Sequence, residues 1–204
     1  MLKETFLHLV KEYKADDETA AVLWKEIEMA YSGKKRFYHT LTHLENMLEQ
    51  LEFVQHQIKN NNCLLFALYY HDVVYNASSW QNEEASAVLA VNRMARLNVP
   101  EEIQSNCKAM ILSTKKHLLS DDMDTNYFID ADLSILGQDW EIYKLYAKKV
   151  RKEYAVYPDI VYKPGRKKVL KHFIEMQHIF KTGEFYNRFE RKAKENLNRE
   201  LSIL

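Results

Sequence analysis

Four glycines and three prolines are all that punctuate 204 residues. Both residue types mark tight turns and strand ends, so their scarcity predicts long helices joined by short connections. Apolar spacing agrees. Phe6, Leu9, Val10 and Tyr13 recur at helical intervals and predict an amphipathic helix ending near Lys14. Asp16 is placed to cap a second helix, which carries Val22, Leu23 and Ile27 and stops at Ser32 and Gly33. A third begins around Thr40 and bears Leu44, Met47, Leu48 and Leu51. Asn60, Asn61 and Asn62 break the pattern, after which the dense apolar segment from Leu64 to Tyr75 predicts a helix buried on most sides. Asn82 is the expected cap of a fifth helix, and Pro100 opens a sixth with Ile103, Cys107, Met110 and Ile111 on one face. A short helix ending at Gly137 follows an acidic loop, and Asp139 is placed to cap the next. Tyr157 to Gly165 reads as a loop, and two helices around Leu170 and Phe189 complete the chain. No repeat and no strand interrupts this series, so one all-α domain over residues 1–204 is expected.

Lysine plus arginine balances aspartate plus glutamate at 29 each, which removes any global field for nucleic acid or an anionic membrane. A local basic patch stays open. The run from Leu64 to Tyr70 falls far short of the roughly 20 apolar residues a bilayer span needs. Cys63 and Cys107 lie far apart and match no zinc or redox spacing, so they are expected to be buried thiols in a reducing, cytoplasmic setting.

Against that background a few polar residues stand on faces that ought to be apolar. His71 and Asp72 interrupt the most apolar stretch of the chain, with Ala67, Leu68, Val74 and Tyr75 at helical offsets from His71. A buried imidazole needs partners, and a buried carboxylate needs a cation or several donors. Asp132 repeats the anomaly among Phe128, Ile129, Ile135 and Leu136, whereas Asp130 has a mixed set of neighbours. Two positions apart on a helix is roughly 200°, so one cluster can use only one of the two, and Asp132 is the expected one. His39 and His43 lie four apart, with His43 the deeper of the pair. Imidazole and carboxylate donors of this kind suit a divalent ion: manganese, iron, cobalt, nickel, zinc or magnesium. The expected ligands are His43, His71, Asp72 and Asp132. One spacing resists the scheme: if the third helix ran straight to Lys59, the return to His71 would be too short to bring the histidines level. Either the helices cross or the first ends early.

In this order of motifs the chain resembles the HD superfamily of metal-dependent phosphohydrolases, an all-α fold. Tyr38-His39-x-x-x-His43 is similar to the opening signature of its cyclic-nucleotide phosphodiesterases. Ala131-Asp132-Leu133-Ser134 is similar to the closing aspartate motif of those enzymes and of guanosine tetraphosphate hydrolases. The segments Asn82 to Ala87 and Gly165-Arg166 resemble a bacterial branch of HD proteins. The resemblance implies the same four ligands and a phosphate ester or anhydride of a nucleotide or other small metabolite as substrate. It also implies that His39 protonates a leaving oxygen, the alternative being a helix-start histidine bonded to nearby backbone. An acid soon after the His-Asp pair handles water in the tetraphosphate hydrolases, for which Glu83 is preferred over Glu84; both are also what a helix dipole favours in a first turn. Arg36 is the foremost candidate to clamp phosphate, ahead of Lys115, Lys116, Arg151 and Arg166. His117 is expected to touch substrate, to join a second metal, or simply to end a helix. HD-type iron oxygenases and non-catalytic nucleotide sensors are the alternative readings.

Overall fold

The structure, a computed structural model describing residues 1–204, is built from helices alone. They are α1 (Leu2–Glu12), α2 (Asp17–Tyr31), α3 (Leu41–Phe53), α4 (Asn61–Tyr70), α5 (Asn82–Arg96), α6 (Glu101–Ser113), α7 (Met123–Leu133), α8 (Trp140–Glu153), α9 (Asp159–Glu175) and α10 (Gly183–Ile203). Two short 3-10 turns, Gln55–Gln57 and Ser134–Gly137, complete the set. No helix is long and apolar enough to cross a membrane.

The centre of the bundle is α4. Every residue from Cys63 to Tyr70 is buried, and α1, α3, α5, α6 and α7 all pack around it. Both cysteines are buried and unpaired. Burying a helix on all sides removes its apolar surface from water at roughly 25 cal/mol per Å². The polar His71, itself buried, stands at the C-terminal end of this helix.

Three sequence expectations are corrected. The asparagine run starts α4 instead of merely separating helices: the Asn60 side chain accepts from the Cys63 N–H at 3.0 Å, an N-cap, and the helix ends at Tyr70, not Tyr75. Asn82 is the first residue of α5, and its side-chain oxygen accepts from the Asn76 N–H at 3.0 Å, closing the preceding loop and not capping the helix. Most of the segment read as a loop, Asp159 to Gly165, is the opening of α9. Pro164 removes one helical N–H, but the turn concerned faces solvent, with Ile160 83% exposed, so water can serve the freed carbonyl. What holds the segment helical lies elsewhere. Arg166, buried, donates to both oxygens of Glu200 on α10 at 2.8 and 2.9 Å.

Candidate metal centre

His43 occupies the first turn of α3, and His71 immediately follows the last residue of α4. The third helix does end early, at Phe53, and α4 begins at Asn61. Each histidine therefore stands ten residues from the connection. At 1.5 Å per residue the outward and return arms are both about 15 Å long, which brings the imidazoles level. Their Nε2 atoms lie 3.2 Å apart. Asp132, in the last turn of α7, brings Oδ1 to 3.3 Å from His43 Nε2. Donor atoms of His43, His71 and Asp132 all fall within 4.8 Å of one another.

The chemistry of this trio fits a cation. His71 Nδ1 lies 2.9 Å from the Leu68 carbonyl, which can only accept, so Nδ1 carries a proton and, whenever the ring is neutral, Nε2 turns a lone pair towards the others. Two imidazole nitrogens and a carboxylate oxygen, all atoms able to coordinate a cation, then face one another. For nitrogen and oxygen ligands at about 2.0–2.2 Å from a tetrahedral ion, neighbouring ligand atoms stand about 3.3–3.6 Å apart, close to the 3.2 Å between His43 and His71 and the 3.3 Å between His43 and Asp132, with the third pair within 4.8 Å.

The electrostatics point the same way. Burial pulls the His43 imidazole below its ordinary pKa, with Asp132 opposing. Burial pulls on His71 too, but the carboxylates of Asp72 and Asp132 outweigh it and lift that ring to about 9. Asp132 is held well below the usual carboxylate range despite its burial, by hydrogen bonds from His117 and His43. A proton retained on His71 supplies the positive charge this constellation requires when no cation does.

Asp72 stands to one side. Its Oδ2 is 3.2 Å from His71 Nε2 and 3.8 Å from His39 Nε2, so it adjoins the trio through His71 without entering the tight group. Its carboxyl also lies below the ordinary range, because the neighbouring histidines outweigh burial.

His39 is the better-supported histidine. Glu153, the last residue of α8, accepts the backbone N–H groups of Phe37, Tyr38 and His39 on Oε1 at 2.7, 2.7 and 3.0 Å. Its Oε2 lies 2.7 Å from His39 Nδ1 and accepts from the Tyr75 hydroxyl at 3.0 Å. Burial opposes charge on His39, but Asp72 and Glu153 together raise its pKa, while Glu153 itself is held down to about 2 against its burial. The imidazole is thereby fixed with Nε2 turned towards Asp72. Glu153 was not among the residues singled out in the sequence, where it closes a lysine-rich run. The signal existed, since Tyr143, Tyr146, Val150 and Glu153 fall on one helical stripe.

His117 reaches the cluster from the far side. It follows the end of α6 with φ of 51°, a left-handed conformation that costs a residue with a Cβ about 1–2 kcal/mol. The turn brings Nε2 to 3.1 Å from Asp132 Oδ2. Asp132 thus has His43 on one oxygen and His117 on the other.

The remaining candidates are placed otherwise. Arg36 donates to the carbonyls of Val73 and His39 at 2.9 and 3.2 Å and lies over the rings of Tyr31 and Tyr75, bracing the two turns that carry His39 and Asp72. Glu83 sits in the first turn of α5 with no bond to any member of the cluster. Glu84 pairs with Lys115, which also donates to the Trp80 carbonyl. Arg151 is bonded to Asp159 and to two carbonyls of its own turn, and Arg166 to Glu200. Asp130 corrects a detail of the sequence reading, because it is fully buried whereas the Asp132 side chain keeps 17% exposure. Asp130 accepts from the N–H groups of Lys181 and Thr182 and from the Thr182 hydroxyl, which accounts for it without a metal.

Comparison with protein-family models, with curated proteins and with solved structures finds no match for this chain.

Proposed function

We propose that the chain is a metal-dependent phosphohydrolase of the HD kind, acting on a phosphate ester or anhydride of a nucleotide or other small phosphorylated metabolite. The observation that carries the reading is the convergence of His43, His71 and Asp132, brought from three separate helices, with ligand atoms that all lie within 4.8 Å of one another. A bound divalent ion supplies Lewis-acid polarisation of a phosphoryl oxygen and lowers the pKa of a water.

The chain's own residues divide the rest of the work. His43, His71 and Asp132 hold the ion, with Asp72 beside them. His39, whose pKa is raised, presents a protonated Nε2 to a departing oxygen, and Glu153 keeps the ring from rotating away. His117 orients Asp132 and offers a second imidazole on the opposite side of the cluster. Arg36 acts indirectly, by locking the turns of His39 and Asp72 against each other.

Steady-state assays over a panel of phosphorylated metabolites, with manganese, cobalt, nickel and magnesium in turn, test the reading. Turnover is expected to need one of these ions and to fall at least a hundred-fold in His39→Ala, the scale typical of losing an acid catalyst. Metal-loaded protein that turns over none of the panel contradicts it. The second imidazole on Asp132 is the observation that favours the iron-oxygenase reading, which iron near two ions per chain together with oxygen consumption would establish instead.

A further inference from the structure

The basic patch left open by the neutral overall charge exists, and it is concentrated in one segment. Between Lys148 and Lys171 lie seven lysines and two arginines against only Glu153 and Asp159, so the rest of the chain carries an excess of acid. Both arginines are spent inside the fold, Arg151 on Asp159 and Arg166 on Glu200, and Glu153 is engaged by His39. The seven lysines, Lys148, Lys149, Lys152, Lys163, Lys167, Lys168 and Lys171, make no ion pair. On α9 the spacing of Ile160, Lys163, Lys167 and Lys171 places them on one stripe, about 100° around the helix from the buried Tyr162, Arg166 and Leu170.

Aliphatic side chains stand among these charges. Val156, Ile160 and Val161 are 67, 83 and 53% exposed, at the end of the segment where α8 turns into α9. We propose that this surface, the turn after α8 together with the outer face of α9, docks on an anionic lipid bilayer. Lysines without a carboxylate partner supply diffuse positive charge suited to a negatively charged leaflet. The aliphatic group at the turn supplies what enters the boundary between headgroups and acyl chains.

A nucleic acid fits the same surface less well. Its recognition draws on arginine forks and on free aromatic faces. Here the arginines are occupied, and Tyr154, Tyr157 and Tyr162 pack on one another with ring centroids 6.2 and 6.0 Å apart. Phe37 is covered by Lys152, whose Nζ lies 5.5 Å from its ring centroid, and the exposed apolar groups left over at the turn are aliphatic, which serve a bilayer and not a base. The proposal is independent of the metal centre, since none of the lysines or aliphatic residues belongs to it.

Co-sedimentation of the full chain with vesicles of phosphatidylcholine, with and without phosphatidylglycerol, tests the idea. Binding is expected only to the anionic vesicles and to weaken as salt is raised. Each lysine near such a surface is worth about five-fold in affinity, so Lys163→Glu, Lys167→Glu and Lys171→Glu combined should lower binding on the order of a hundred-fold or more. Ile160→Ser with Val161→Ser should weaken it too, while leaving the dependence on anionic lipid. All of these side chains reach solvent, so thermal unfolding of the variants should match the parent. Absence of binding to anionic vesicles at low salt overturns the proposal, as does undiminished binding by the lysine variant. Binding of a ribo-oligonucleotide through the same lysines in place of vesicles, or self-association that they control, overturns it equally.

Discussion

Asp130 and Asp132 are two positions apart and chemically identical, yet they answer to different partners. Asp130 accepts only from donors of the Lys181–Thr182 turn, so an amide in its place aims N–H groups at N–H groups. Asp130→Asn should therefore lower the unfolding free energy by about 1–3 kcal/mol, measured by urea denaturation, with metal content unchanged. Glu153 yields a residue-scale prediction with a pH signature. Its carboxyl is held at about 2 in the fold against an ordinary 4.5, so its contribution is complete above about 4.5 and is lost as pH falls towards about 2. The gap corresponds to at most about 3 kcal/mol, at 1.36 kcal/mol per unit. The stability difference between parent and Glu153→Gln should accordingly shrink between pH 6 and pH 3, and a constant difference would show that Glu153 is not the charged brace of His39. His117 is the other residue whose conformation asks for a reason. A left-handed histidine is a cost that an ordinary helix end avoids with glycine, and here it places an imidazole on Asp132.

At the scale of elements, Gly137 shows how closely two of them meet. A Cβ built there would lie 2.5 Å from Phe189 Cβ and 2.7 Å from the Phe189 carbonyl oxygen, so the Ser134–Gly137 turn packs directly onto the backbone of α10. Gly137→Ala should destabilise the protein by about 1–3 kcal/mol, the usual cost of overpacking, read as a lowered Tm with unchanged metal affinity. The helices themselves were legible wherever the apolar period was strong, as in α1, α3 and α6. They were illegible where a distant side chain decides the matter. The opening of α9 contains proline and glycine, and it is tied to the rest of the fold by contacts made at a distance, the Arg166–Glu200 pair across 34 residues and the Arg151–Asp159 bond. The end of α4 was placed too late because apolar density continues through Val73 and Val74. The chain leaves the helix there since Arg36 takes the Val73 carbonyl and Ser86 takes both backbone groups of Val74.

Across the whole molecule, a recurrent device is a buried carboxylate that gathers the amides of a distant loop. Asp124 receives the N–H groups of Lys59 and Asn60, Asp130 those of Lys181 and Thr182, Glu190 those of Ile179 and Phe180, and Glu153 those of residues 37–39. Such acids resemble metal ligands in a sequence, because both interrupt apolar faces, and composition does not separate them. What separated His43, His71 and Asp132 was their placement on three helices that lead to one point. Asp72, expected from the sequence as a fourth ligand, stands beside the trio and outside its tight group, because the turn at His71 carries it to the rim. The central claim is that these donors converge because a cation neutralises them. The most direct measurement is the metal content of chelator-treated protein after reloading with manganese, nickel, iron or zinc, set beside Asp132→Asn and Asp130→Asn treated alike. Stoichiometric binding of at least one of these ions is predicted for the parent and for Asp130→Asn, and its loss for Asp132→Asn. Parent protein that retains none of them, or Asp132→Asn that retains the ion as well as the parent does, would contradict the claim.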